Sequence, residues 1–138
     1  MQKTNIIHET LSGEIIGAAM HVLNELRPGL DEKFYERALV IELKKRGHTI
    51  EGQRKFPVFY QTEFIGDLVP DLIVDDRVIV DPKVVVNFNA AHVSQMVGYL
   101  AISRLELAIL LNFKSARLEW KRVVRQQSRD REVADLHG

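Results

Sequence analysis

Residues 78–86 read Val78-Ile79-Val80-Asp81-Pro82-Lys83-Val84-Val85-Val86. β-Branched residues at this density suit a strand buried on both faces. An unpaired charge in such a strand is costly, so Asp81 needs a reason to be there. Asp81 and Lys83 are two apart, and alternation along a strand points both to one face. Upstream, Pro70-Asp71 leads through Leu72-Ile73-Val74 to Asp75-Asp76. A hairpin turning at Asp75-Asp76 would lay Asp71, in one strand, beside Asp81 in the next. Pro82 donates no backbone hydrogen bond and is disfavoured inside a sheet. It predicts an edge, a bulge or a strand end, and leaves its carbonyl free to bind a cation.

Around this hairpin the periodicity predicts helices over 6–26, 31–46 and 90–103. In the first, Ile7, Leu11, Ile15, Ala18, Ala19, Val22, Leu23 and Leu26 recur in steps of three and four. Pro28 ends it by disfavouring the helical conformation at Arg27. Asp31 is a fair N-cap for the second and Gly47 a good C-terminal stop. Strands are expected over about 48–60, 64–74, 77–86, 106–113 and 117–124. The order α-α-β-β-β-α-β-β is that of a mixed α/β domain with a central sheet. One domain over 1–124 is expected, with a polar tail over 125–138.

Composition narrows the function classes. The 138 residues carry 19 Lys+Arg against 19 Asp+Glu. Nucleic-acid binding would therefore need a local basic patch, not a global charge. Lys114, Arg117, Lys121, Arg122 and Arg125 form one candidate; Lys44, Lys45, Arg46, Arg54 and Lys55 form another. Both also suit scattered solvated faces. With no cysteine, thiolate zinc sites, thiol nucleophiles and disulfides are excluded. No apolar run approaches the roughly 20 residues that span a bilayer, and residues 1–14 lack a signal peptide's apolar core. A cytoplasmic protein with no membrane partner is expected.

Asp71, Asp81 and Lys83 have the parts for phosphodiester hydrolysis. Two close carboxylates repel one another, and a divalent cation relieves the repulsion. Mg²⁺ and Mn²⁺ favour hard oxygen ligands, often one or two carboxylates with waters and substrate phosphate. Such an ion polarises a phosphoryl oxygen and acidifies water. A neighbouring lysine stabilises phosphorane charge or helps deprotonate the water. Against this stands a surface ion pair, worth about 0–1 kcal/mol.

The stretch Gly29-Leu30-Asp31-Glu32-Lys33-Phe34-Tyr35 reads G-x-x-E-x-x-Y. With Tyr35-Glu36-Arg37-Ala38-Leu39, Pro70-Asp71, Asp81-Pro82-Lys83, His92, Gln95, Tyr99, Asn112-Phe113 and Lys121-Arg122, it resembles the GxxExxY proteins, a branch of the PD-(D/E)xK nuclease superfamily. The resemblance runs from about Ile6 to Val124. It implies a restriction-endonuclease-like core, a mixed central β-sheet flanked by helices. It implies that Asp71 and Asp81 are metal ligands, Lys83 the catalytic lysine and Glu32 an additional acid of the site. Gln95 and Tyr99 match a Q-x-x-x-Y motif of several nuclease branches. Spacing of four puts them on one helical face, where they could position a water or a phosphate. The chain departs from the family's usual Glu-Leu-Lys at Asp81-Pro82-Lys83, and has Arg27 where glycine is usual.

Together these readings predict a nuclease dependent on Mg²⁺ or Mn²⁺, acting on nucleic acid, DNA ahead of RNA. Its metal ligands would be Asp71, Asp81, the Pro82 carbonyl and Glu32, with Lys83, Gln95 and Tyr99 completing the catalytic set. The alternative is a module that kept the fold and lost turnover, binding nucleic acid or a protein; Pro82 motivates it. A homodimer through the Val-rich strand and the first helix, with Ala18 and Ala19 allowing close packing, or a partner that supplies specificity, is compatible with either. Other residues have ordinary uses. Glu32 suits a helix's first turn, Tyr35 suits packing under the sheet, and His92 suits a solvated helix start. Phe56, Phe59, Phe64, Phe88 and Phe113 are expected in the core rather than as base-stacking platforms.

Overall fold

The computed structural model describes residues 6–126. The polar tail expected over 125–138 therefore lies, from residue 127 on, outside the described residues. Helix α1 (Glu9–Leu26) buries Leu11, Ile15, Ala18, Ala19, Val22 and Leu23 along one face. Helix α2 (Glu32–Lys45) buries Tyr35, Leu39 and Leu43. It stops at Gly47, whose φ of 94° needs no Cβ. The Gly47 N–H bonds the Lys44 carbonyl and the His48 N–H the Leu43 carbonyl, each at 3.0 Å. This paired closure satisfies carbonyls the helix leaves open.

Seven strands follow: β1 (Ile50–Glu51), β2 (Phe56–Tyr60), β3 (Glu63–Leu68), β4 (Leu72–Val74), β5 (Val78–Lys83), β6 (Leu107–Asn112) and β7 (Glu119–Val124). Helix α3 (Ala90–Ser103) lies between β5 and β6. Five strands form a mixed sheet in the order β1-β4-β5-β6-β7. The β5–β6 pair is parallel, with α3 as its crossover, and the other pairs are antiparallel. Alternation splits the core: Leu72, Val74, Val78 and Val80 meet α1 and α2 on one face, while Ile73 and Ile79 meet Met96 and Leu100 of α3 on the other. The expected restriction-endonuclease-like architecture, a mixed central sheet flanked by helices, is present.

The strand boundaries differ from expectation in three places. The 48–60 run splits into β1 and β2, and the 64–74 run into β3 and β4, because β2 and β3 pair only with each other as a separate hairpin. Asp71 therefore sits just before β4 and not inside a strand. The 77–86 run ends at Lys83. There the Asn112 side chain takes over the Val85 backbone, accepting from its N–H at 3.1 Å and donating to its carbonyl at 2.8 Å. Pro82 lies in the sheet's central strand rather than on an edge, one residue before that strand's end, which is the strand-end alternative. Ala18, Ala19 and Val78–Val80 are buried within the chain, whereas Val86 beyond the strand's end is exposed. Phe56 and Phe113 are core, but Phe59 and Phe64 are exposed, contrary to expectation.

Candidate active site

The loop between α1 and α2 decides where α2 begins. Gly29, at φ 113°, turns the chain. The Tyr35 hydroxyl then donates to the Arg27 carbonyl at 2.5 Å and accepts from the Leu30 N–H at 3.1 Å. Its ring stacks on Phe113 with centroids 4.8 Å apart. Tyr35 is thus a structural clasp, as its expected packing role implied. The clasp starts α2 at Glu32, and Glu36 follows one turn later on the same face.

Glu32, Glu36 and Asp71 offer carboxylate oxygens that all lie within 4.8 Å of one another. Glu36 was not among the expected site residues; its i,i+4 spacing from Glu32 was the available signal. Burial raises the pKa of Glu32, and Asp71 adds to this while Lys83 opposes it. Burial also raises Glu36, followed by Asp71 and Glu32. Each acid resists ionising beside its neighbours.

The β4–β5 hairpin turns through Asp75 and Asp76, both in the left-handed region, as expected. Leu72 pairs with Val80, so Asp71, one step on, lies opposite Asp81. Asp81 is 3 % exposed. Lys83 Nζ lies 3.4 Å from Asp81 Oδ1, an ion pair without hydrogen-bond alignment, and among the described residues that oxygen has no hydrogen-bond partner. Burial, then the Asp71 carboxylate, pushes Asp81 up to about 7; Lys83 pulls the other way. The Lys83 carbonyl accepts from Phe113 N–H at 2.9 Å, so Lys83 and Asp81 turn their backbones to β6 and Pro82 turns the other way. On that side β4 has already ended. The missing Pro82 N–H therefore breaks no ladder bond, and its carbonyl faces the Asp71 side.

Gln95 and Tyr99 share a face of α3, as expected, with the Gln95 amide donating to the Tyr99 hydroxyl at 3.1 Å. Burial, then Asp71 and Asp81, raises the Tyr99 pKa. His92 is taken by structure: its Nδ1 accepts from Asn89 N–H while Asn89 Oδ1 accepts from His92 N–H. The assembly is an acidic cleft with one lysine. Its hard oxygens and the partnerless buried oxygen of Asp81 fit a divalent cation of the Mg²⁺ or Mn²⁺ type.

No curated protein matches the chain. Among solved structures it is similar to LHK-Exo, an alkaline exonuclease from Laribacter hongkongensis. That chain is 11% identical with a TM-score of 0.48, over 91% of this chain and 87% of the other. LHK-Exo in complex with dAMP gives 10% identity and a TM-score of 0.49, over 86% and 80%. Among the described residues no helix is long and apolar enough to cross a membrane. A family model of the PD-(D/E)XK nuclease superfamily matches residues 9–123. That match runs from the start of α1 almost to the end of β7 and takes in every carboxylate of the cleft and its lysine, so the chain belongs to the PD-(D/E)XK nuclease superfamily.

Proposed function

We propose that the chain is a divalent-cation-dependent nuclease, within the GxxExxY branch, with DNA ahead of RNA as substrate. The observation that carries this is Asp81: a buried carboxylate with one partnerless oxygen, facing Asp71 and carrying Lys83 beside it. Asp71, Asp81, the Pro82 carbonyl and Glu32 would hold the cation, with Glu36 joining them. When bound, it supplies Lewis-acid polarisation of the phosphoryl group and acidifies water.

The chain's own groups do the rest. Lys83 is held by Asp81 at the end of β5, so its Nζ stands where charge develops on the phosphoryl oxygens. It also stabilises the hydroxide that attacks phosphorus as one ester P–O bond breaks. The Gln95–Tyr99 pair offers an amide and a hydroxyl from the α3 side to orient water or phosphate. The rigid sheet end keeps these groups in place. Turnover is favoured over a binding-only module by the position of Pro82, past the end of β4, where it leaves the site's backbone undisturbed. Specificity beyond this small core would come from a partner protein.

The test is calorimetric titration of Mn²⁺ into wild type and Asp71→Ala/Asp81→Ala. Binding in the wild type that vanishes in the double variant is expected. Equal binding in both would remove the cation from these carboxylates and sink the mechanism.

A further inference from the structure

Strands β2 and β3 form a two-stranded arm outside the main sheet. Its root is anchored: Phe56 is buried, the Arg54 guanidinium lies 4.8 Å from its ring centre, and Leu68 packs on the α3-side core. Its outer half is bare. Phe59, Tyr60, Phe64 and Ile65 are 57%, 65%, 58% and 64% exposed, and Phe59 meets Phe64 edge-on with centroids 5.9 Å apart. The register slips between Val58 and Phe59, which leaves Ile65 as the extra residue. Ile65 lines a hollow of about 430 Å³ with Val58, Leu68, Val69 and Tyr99.

An isolated hairpin is marginal in water, and bare apolar clusters mark interaction surfaces. The hollow adjoins the acidic residues through Tyr99, which lines it, ties its hydroxyl to the Gln95 amide and lies near enough to feel the Asp71 and Asp81 carboxylates. A strand lying in the hollow would pass Tyr99 to reach them. Base faces stack on aromatic and apolar side chains without sequence preference, but a duplex keeps those faces covered. The lining is mostly apolar, with Asp67 its one charged member, so it suits base faces while the carboxylate keeps the phosphates outside. Exposed Lys55 stands at the arm's root to meet a phosphate.

We propose that the β2–β3 arm holds unpaired bases of a single-stranded DNA segment whose backbone continues past Tyr99 into the acidic cleft. This rests on the nuclease reading above and adds its substrate class. The test is fluorescence anisotropy of the full chain at low salt in EDTA, where turnover is off and the arm reads alone. The probes are labelled oligo(dT), a blunt duplex and oligo(U). We expect oligo(dT) to bind about tenfold tighter than the duplex, and Phe59→Ser/Phe64→Ser to lose about tenfold, the size of one lost stack. Phe64→Tyr should retain affinity. Ile65→Ser, on an exposed position, gives a second reading should the double variant melt early. Equal affinity for duplex, unchanged affinity in the serine variants, or oligo(U) binding as tightly would each overturn the proposal. So would serine variants that only dissolve a dimer seen by gel filtration. Cleavage with Mn²⁺ is scored separately: cleavage with an idle arm sinks the arm alone, and a binding arm without cleavage sinks the nuclease reading alone.

Discussion

Replacing Asp81 with asparagine removes a charge that the fold holds at a disadvantage, and we expect Asp81→Asn to be more stable than wild type above neutral pH. Burial and Asp71 lift Asp81 from its ordinary 3.8 to about 7. At about 1.4 kcal/mol for each pKa unit, the ionised side chain destabilises the fold by about 4 kcal/mol at most. A buried amide without full partners returns about 1–3 kcal/mol of that. The net gain is about 1–3 kcal/mol at most, or about 3–12 °C in Tm for a chain of this size. The sign follows from the raised carboxyl. Below about pH 4 both states of wild type bind the proton and no penalty exists; it grows as pH rises and is complete once pH has passed 7. Melting curves in EDTA at pH 4 and pH 8 should therefore show the variant's advantage only at pH 8. Adding Mn²⁺ should stabilise wild type by mass action and the variant much less. A variant less stable than wild type at pH 8 in EDTA, or a difference independent of pH, would refute the reasoning.

Arg27 sits at φ 70°, ψ 162°, a region populated almost solely by glycine. Arg27→Gly should raise stability by about 1 kcal/mol in urea unfolding; a loss would mean its side chain holds the turn. Tyr35→Phe keeps the stack on Phe113 but strips the Arg27 and Leu30 backbone of its partner. It should cost about 1–3 kcal/mol and weaken Mn²⁺ binding by loosening the start of α2, and an unchanged metal affinity would detach the clasp from the site. His48 bridges two elements, its Nδ1 2.6 Å from Asp75 and its Nε2 2.7 Å from Glu14 of α1. The Asp75 hydrogen bond, against burial, raises His48 above 6.5. Asp75 is lowered below 3.8 although burial opposes it, chiefly by the same bond. The His48 contribution is complete below its ordinary 6.5 and is lost as pH rises through the raised value. That of Asp75 is present above 3.8 and is lost as pH falls through the lowered value. Asp75→Asn should thus cost more stability at pH 5 than at pH 9, and a flat difference across that range would contradict the bridge.

Much of the architecture was legible because its causes are local. The three helices announce themselves through periodic apolar faces and through Gly47, whose open conformation ends α2. The pairing of Asp71 with Asp81 was readable from the Asp75-Asp76 turn and from two-residue alternation. What escaped depends on partners distant in sequence. The end of β5 is set by Asn112, 27 residues beyond Val85, and no pattern within Val84-Val85-Val86 reveals it. The β2–β3 arm reads as ordinary strand because exposed and buried phenylalanines have the same propensity; only packing distinguishes Phe56 from Phe59. Pro82 left an edge, a bulge and a strand end open, and the structure has the strand end. The rule against proline inside a sheet concerns a hydrogen-bonded neighbour, and here the short β4 leaves none on that side. Glu36 lies one helical turn beyond the motif's glutamate, and only that spacing marks it as a member of the same cluster.

The central claim is that the Asp71–Asp81–Lys83 cleft hydrolyses phosphodiesters with a divalent cation. It is tested most directly by incubating labelled single-stranded DNA, duplex DNA and RNA with wild type and Lys83→Ala, in Mn²⁺ and in EDTA. Wild type should cleave in Mn²⁺ alone, and Lys83→Ala should lose two or more orders of magnitude, the scale of one electrostatic catalytic group. Cleavage that persists in EDTA, or that Lys83→Ala retains in full while folded, would contradict it.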